Sequence, residues 1–218
     1  MRYKIYPNEV RLNKSRGKSY ILYLLSYIFL SIPLAGKCQY MDSLSLDTLT
    51  GYTSIKEAMV RPENVIKLEL SKKKLDAFPE EIRKFTNLQY LDLSKNKITT
   101  VPSWIGELKN LQFLILSKTK IDSLPPQFGD LVHLKWFVMN RSSLQSLPHT
   151  IGNLKELRYM DLWGSNLSYF PAELHELSDN LLNFELQDVA ISNPVQAAIK
   201  AELPNTNIQF TPACICEQ

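Results

Sequence analysis

The chain has 218 residues, 44% of them hydrophobic, 22% charged and only seven glycines. That composition fits one globular domain with a short appendage and excludes collagen-like, mucin-like and wholly disordered chains. Of 25 basic and 22 acidic residues, seven and one respectively (Arg2, Lys4, Arg11, Lys14, Arg16, Lys18 and Lys37, against Glu9) fall in residues 1–38. That leaves 18 against 21 in residues 39–218, a balance of −3. A mildly acidic body argues against a nucleic-acid binder driven by net charge, so no nucleic acid is expected as a partner. Three cysteines are too few for a disulfide scaffold.

Residues 2–19 are basic and polar. Thirteen uncharged residues follow, Tyr20 to Ile32, and then Pro33-Leu-Ala-Gly-Lys-Cys-Gln39. A basic start, a short apolar run and a small-residue exit describe a secretory signal peptide over 1–38. With Gly36 and Cys38 at the small-residue positions, the mature chain is expected to begin at Gln39 and to be secreted or held in the cell envelope, with no membrane contact after cleavage. Two alternatives stay open. The uncharged run from Ser19 to Gly36 reaches the lower limit for an uncleaved membrane anchor. Leu34-Ala35-Gly36 resembles the start of a lipid-attachment motif, although Lys37 separates it from Cys38. Gly17-Lys18-Ser19 imitates the end of a phosphate loop, but Leu12 stands where the earlier glycine is required, so that reading is discarded.

Residues 39–64 are expected to form a loose lead-in, over 40–53, and a capping helix. Ser54-Ile-Lys-Glu57 has the form of a capping box, and Pro62 is expected to stop the helix.

From Val65 onward one period governs the sequence. Leu88-Gln-Tyr-Leu-Asp-Leu-Ser-Lys-Asn96 aligns with Leu111-Gln-Phe-Leu-Ile-Leu-Ser-Lys-Thr119, Leu134-Lys-Trp-Phe-Val-Met-Asn-Arg-Ser142 and Leu157-Arg-Tyr-Met-Asp-Leu-Trp-Gly-Ser165. These starts lie 23 residues apart. An earlier copy begins at Val65 and a later, altered one at Leu181. The second halves repeat as Phe78-Pro79-x-x-Ile82, Val101-Pro102-x-x-Ile105, Leu124-Pro125-x-x-Phe128, Leu147-Pro148-x-x-Ile151 and Phe170-Pro171-x-x-Leu174. Glycine follows at Gly106, Gly129 and Gly152. The pattern L-x-x-L-x-L-x-x-N-x-L and its period resemble leucine-rich repeat proteins over about residues 54–210, in the short class found in bacterial proteins and intracellular scaffolds.

That resemblance implies an α/β solenoid: a short right-handed horseshoe with about six parallel strands on its concave face and helical caps at its ends. Repeats are expected over 65–193. A capping helix over Pro194–Leu203, an edge strand at 208–210 and a tail are expected within 194–218. Alternation from Leu91 to Leu93 has the strand period. The leucines of each unit should face the core, Leu91, Leu114 and Leu162 among them, while the third, fifth and seventh positions face outward, Asp92 and Asp161 included. At the ninth position Asn96 should satisfy buried backbone groups, with Thr119, Ser142 and Ser165 as substitutes.

Read by column, the third position gives Lys67, Tyr90, Phe113, Trp136, Tyr159 and Asn183. The fifth gives Glu69, Asp92, Ile115, Val138, Asp161 and Glu185. Phe113, Ile115, Trp136, Val138 and Trp163 should therefore make an exposed apolar patch flanked by Tyr90 and Tyr159. Lys95, Lys118 and Arg141 lie on a basic ridge at the eighth position, with Lys74, Lys97 and Lys120 beside it at the tenth. Patches of this kind mark protein-binding sites. The plain alternatives are strand-to-strand packing for the rings and a solvated edge for the lysines.

No catalytic set emerges. Asp92 and Asp161 are three strands apart, too far to act together. His133, His149 and His175 lie at unit junctions or on the convex half, where structural or solvated roles are expected. No metal spacing appears, and no cofactor is expected. Cys214-Ile-Cys216 reads as free thiols, a strained disulfide or an incomplete metal site. Asn140-Arg-Ser and Asn166-Leu-Ser are glycosylation sequons. The expectation is a non-enzymatic exported protein that recognises a protein or other macromolecular ligand on its concave face. The rival readings are an intracellular signalling scaffold and an enzyme acting from the caps.

Overall fold

In the computed structural model of the chain, Leu46 and residues 49–211 are described. The expected leader, the start at Gln39 and the Cys214/Cys216 pair lie outside the described residues.

Seven short parallel strands form one sheet in sequence order. They are β1 (Lys67–Glu69), β2 (Tyr90–Asp92), β3 (Phe113–Ile115), β4 (Trp136–Val138), β5 (Tyr159–Asp161), β6 (Asn183–Leu186) and β7 (Asn207–Phe210). Six belong to the repeats, and β7 is the edge strand expected beside them. The repeat sets the register. Lys67 pairs with Tyr90, Tyr90 with Phe113, Phe113 with Trp136 and Trp136 with Tyr159. The period carries each residue onto its equivalent in the next unit, and a one-residue slip would turn every leucine to the outer face.

Behind the sheet lies the core. Leu88, Leu91 and Leu93 and their equivalents Leu111, Leu114 and Leu116 are buried, as are Ile98, Ile121 and Leu144 from the return segments. Each such side chain contributes about 1.5–3 kcal/mol when fully buried. One unit cannot enclose its own leucines, so the stabilisation arises only between stacked neighbours.

The Pro-x-x-Ile motif explains the back of the solenoid. In each unit the proline sits extended just ahead of a 3-10 turn. Its ring presets φ, and its carbonyl accepts a hydrogen bond from the amide three residues on. Ile105 N donates to Pro102 O at 3.1 Å, Phe128 N to Pro125 O at 2.9 Å and Ile151 N to Pro148 O at 3.0 Å. The same donor residues are buried in the core. The glycine after each is required by close approach between units: a Cβ on Gly106 would sit 2.7 Å from the carbonyl oxygen of Gln127.

The N-terminal cap differs from expectation in two ways. Helix α1 spans only Ile55–Ala58, and Ser54, although extended at the N-cap position, makes no side-chain capping bond. The helix is instead fixed through its apolar face: Ala58 is buried, with Ile55 and Met59 packed against the core. Pro62 opens a further 3-10 turn, Pro62–Asn64. Within the expected loose lead-in, Tyr52 pairs with β1, donating its amide to Lys67 O at 2.9 Å and accepting from Glu69 N at 2.8 Å. Helix α2, Asn193–Glu202, forms where expected, with Ser192 at its N-cap position. Ile199 and Leu203 are buried against the last unit.

Candidate functional site

The third-position column forms a continuous stack. Ring centroids lie 6.0 Å apart between Tyr90 and Phe113, 5.7 Å between Phe113 and Trp136 and 5.5 Å between Trp136 and Tyr159, with interplanar angles of 29°, 20° and 23°. Parallel strands about 4.8 Å apart bring equivalent rings to stacking distance. Lys67 extends the column, its ammonium 4.8 Å from the Tyr90 ring centre.

The patch is less open than the sequence reading expects. Phe113, with a ring against each face, is 1% exposed, and Tyr90, Ile115 and Val138 are also buried. Stacking supplies part of that cover. Trp136, Tyr159 and Trp163 are half-buried. These three offer apolar area at the surface, with Arg141 and Lys118 exposed and Lys95 half-buried alongside.

Asp161 also departs from expectation. It lies on the outer sheet face but is buried. Its carboxylate accepts hydrogen bonds from Trp163 N at 3.0 Å and from Asn140 Nδ2 at 2.6 Å. Burial pushes its pKa up, and the two hydrogen bonds oppose the shift. Asp92 repeats the local bond, accepting from Ser94 N at 2.7 Å. The fifth-position acids thus organise the turn that leaves the strand. Asn140 of the first sequon is buried, its amide engaged by Asp161; Asn166 of the second is exposed.

Beyond each strand the eighth position turns left-handed. Lys72, Lys95, Lys118, Arg141 and Asp188 have φ of 62°, 57°, 57°, 51° and 53°, and Gly164 stands at 62°. At the ninth position Asn96 does what its residue type suggests. Its Nδ2 donates to Leu70 O and Leu93 O, both at 2.8 Å, and its Oδ1 accepts from Leu75 N at 3.1 Å. Thr119 Oγ1 donates to Leu116 O at 2.7 Å. Ser142 Oγ accepts from Leu144 N at 3.4 Å. Ser165 Oγ is buried with no partner, so it does not replace the asparagine.

Trp163 is pinned from two sides. The Arg141 guanidinium lies 4.1 Å from its ring centre, and its Nε1 donates to Asp188 Oδ2 at 2.9 Å. Sequence reading placed Trp163 and Arg141 on this surface; it set Asp188 in the same eighth-position column as Arg141 but gave it no role there. It also missed the pairing of Asp161 with Glu185, having weighed only the distant Asp92. The 24-residue step from Asp161 to Glu185 was the available signal.

Of the three histidines, His133 Nδ1 lies 2.9 Å from Glu156 Oε1 and His175 Nδ1 2.6 Å from Ala172 O, while His149 is exposed. No group of three or more potential metal ligands occurs among the described residues.

A family model described as a leucine-rich repeat region matches residues 63–179. Among solved structures, a leucine-rich repeat protein of Leptospira interrogans is similar at 33% identity and a TM-score of 0.62, over 68% of this chain and 38% of that one. A plant peptide hormone receptor, RGFR1 in complex with RGF2, is similar at 30% identity and a TM-score of 0.58, over 70% of this chain and 26% of the receptor. This chain therefore spans well under half the length of either. No curated protein matches. The repeat register, the Pro-x-x-Ile turns and the extent of the family match place the chain in the leucine-rich repeat family.

Proposed function

We propose that the chain is a non-enzymatic recognition module that binds a protein or peptide segment across the concave face of its sheet, and that it works after export. The observation that carries the binding reading is the aromatic column on consecutive strands, continued at the surface by Trp136, Tyr159 and Trp163. Stiff aromatic side chains lose little conformational entropy on binding and bury much area, which makes them the common anchors of interfaces. The similarity to a receptor solved with a peptide supports the same class of ligand. Export rests on the sequence of the first 38 residues alone.

Capture from the native host with the full chain, wild type beside Trp136→Ala, tests the binding reading. A specific partner should be retained by the wild type, and the variant should bind it about thirtyfold or more weakly, the level of an interface hot spot. Circular dichroism must show the variant folded, because Trp136 also stacks on two neighbours. Unchanged capture by a folded variant would remove the column from the site. Mass spectrometry of exported protein tests the leader. A chain starting at Gln39 supports cleavage, whereas retention of residues 1–38 or an added lipid would identify an anchor.

A further inference from the structure

The left-handed turns carry an unexpected set of residues. A non-glycine residue there costs roughly 1 kcal/mol or more, because its Cβ crowds the backbone. Gly164 shows that the turn accepts glycine. Yet the first four units place a cation at this position: Lys72, Lys95, Lys118 and Arg141. Lys74, two residues along, is left-handed as well, and Lys97 and Lys120 repeat its place in the next two units. Local geometry does not call for lysine in these turns, so in these four units an unfavourable backbone recurs with one charge type, whereas in the sixth unit Asp188 carries the opposite charge. Strain repeated in this way points to a role for the charge.

These side chains form two rows across the strands, the first Lys72–Lys95–Lys118–Arg141 and the second Lys74–Lys97–Lys120, with neighbours in a row about 4.8 Å apart along the solenoid. All but the half-buried Lys95 are exposed. None of the ion pairs among the described residues uses any of them. The positive strip ends where Gly164 and Asp188 take the same position. We infer that this ridge is a docking surface for an acidic segment of a protein partner. The inference rests on the reading of the chain as a protein-recognition module and adds the chemistry of what it recognises.

Two other polyanions fit less well. Single-stranded nucleic acid needs open aromatic faces for its bases; alongside the ridge Trp136 is stacked on both sides, Tyr159 on one, and Arg141 lies over Trp163. An anionic bilayer would gain from apolar anchors. The exposed large apolar residues, Val60, Val132, Tyr169, Leu182 and Val195, all lie elsewhere, and Trp136, Tyr159 and Trp163 alongside are half-buried. A carboxylate-bearing segment needs only the point charges that lysine supplies.

The test compares two pairs of substitutions in the full chain, binding a poly-L-glutamate peptide at low salt. Comparison between variants is needed because residues 1–38 carry seven basic residues of their own. Lys95→Gly with Lys118→Gly should weaken binding about two- to thirtyfold, as two exposed charge pairs would. The melting temperature should stay level or rise, since glycine relieves the turn. Lys84→Ala with Lys109→Ala removes the same charge from the opposite half of the units and should change binding less than about twofold. Stability and binding then move independently, which a purely structural role would not produce. Equal losses in the two pairs, or no loss in either, would overturn the proposal. So would tighter binding of a single-stranded oligonucleotide or of phosphatidylserine vesicles than of polyglutamate. Equal losses in the two lysine pairs beside a Trp136-dependent capture of a host partner would overturn the ridge and leave the concave-face site standing, so the two failures are distinguishable.

Discussion

Asp161 and Glu185 face each other as register partners on β5 and β6, and each is held above the usual carboxylate range. For Asp161 the cause is burial. For Glu185 it is burial first and the neighbouring Asp161 second. A carboxyl that holds its proton more tightly when folded stabilises the fold below its unfolded pKa, about 4, and that contribution is lost as pH rises through the folded value. Thermal midpoints measured between about pH 4 and 7 should therefore show Glu185→Gln gaining on the wild type as pH rises. A constant difference would mean that Glu185 is not held above its unfolded value. The comparison must be made between proteins, because Glu176, lowered by the hydrogen bond from Lys155, acts in the opposite sense.

Gly106 and Gly164 should separate two reasons for glycine. Alanine at 106 would collide with the Gln127 carbonyl of the next unit, and backbone on both sides cannot yield without parting the units. A loss of about 2–3 kcal/mol is expected, the upper range for overpacking. At 164 the added Cβ would meet only the Arg141 side chain, with Cγ at 3.4 Å. The cost there is conformational, about 1 kcal/mol. Denaturant unfolding of the two variants measures both, and a larger loss at 164 would reverse the assignment.

Asn96 links units as well as closing its own turn. Removing its amide leaves the carbonyls of Leu70 and Leu93 without this donor and the amide of Leu75 without this acceptor. Asn96→Ala should cost about 2 kcal/mol or more, since each buried polar group left unsatisfied costs roughly 1–3. Ser165→Ala, at the same position, removes a hydroxyl with no partner and should be near neutral. Equal losses at the two positions would show that the column acts through packing alone.

Leu114 carries the inside–outside assignment. It is fully buried on β3, and Leu114→Ala should cost about 2–5 kcal/mol, as truncations in a packed core do. Asp92, half-buried, holds one turn amide, so Asp92→Ala should cost about 0.5–1.5 kcal/mol. Urea unfolding of the pair provides the check; comparable losses would place Leu114 nearer the surface.

Strand register and the core-facing leucines follow from the 23-residue period, because each depends on a residue's place in its unit and little else; helix α2 and the edge strand were legible in the proline-bounded segment after the repeats. The candidate surface was harder to read. Column position located Tyr90, Phe113, Ile115 and Val138 on the outer face but could not give their burial, which depends on what packs across the face. Asp161 was assigned to solvent by alternation, yet its side chain turns back to bind an amide and the Asn140 side chain. Left-handed turns were hidden because lysine, unlike glycine, carries no sequence signal for that geometry. Ser54 and Glu57 satisfy the capping pattern, but burial of Ala58 fixes so short a helix without it.

Tyr52 gives the sheet unequal ends. Its backbone occupies the outer edge of β1, whereas among the described residues no strand pairs with the far edge of β7. Each strand bonds only to its neighbours, so local opening should spread from one end inward instead of releasing every unit at once. Among the described residues, the C-terminal end of the sheet has less to restrain it. In deuterium exchange, the amides of β7 should label first, β6 next and the middle strands last, while the first unit lags behind the sixth. The rate at which labelling advances from strand to strand would then measure the coupling between adjacent repeats.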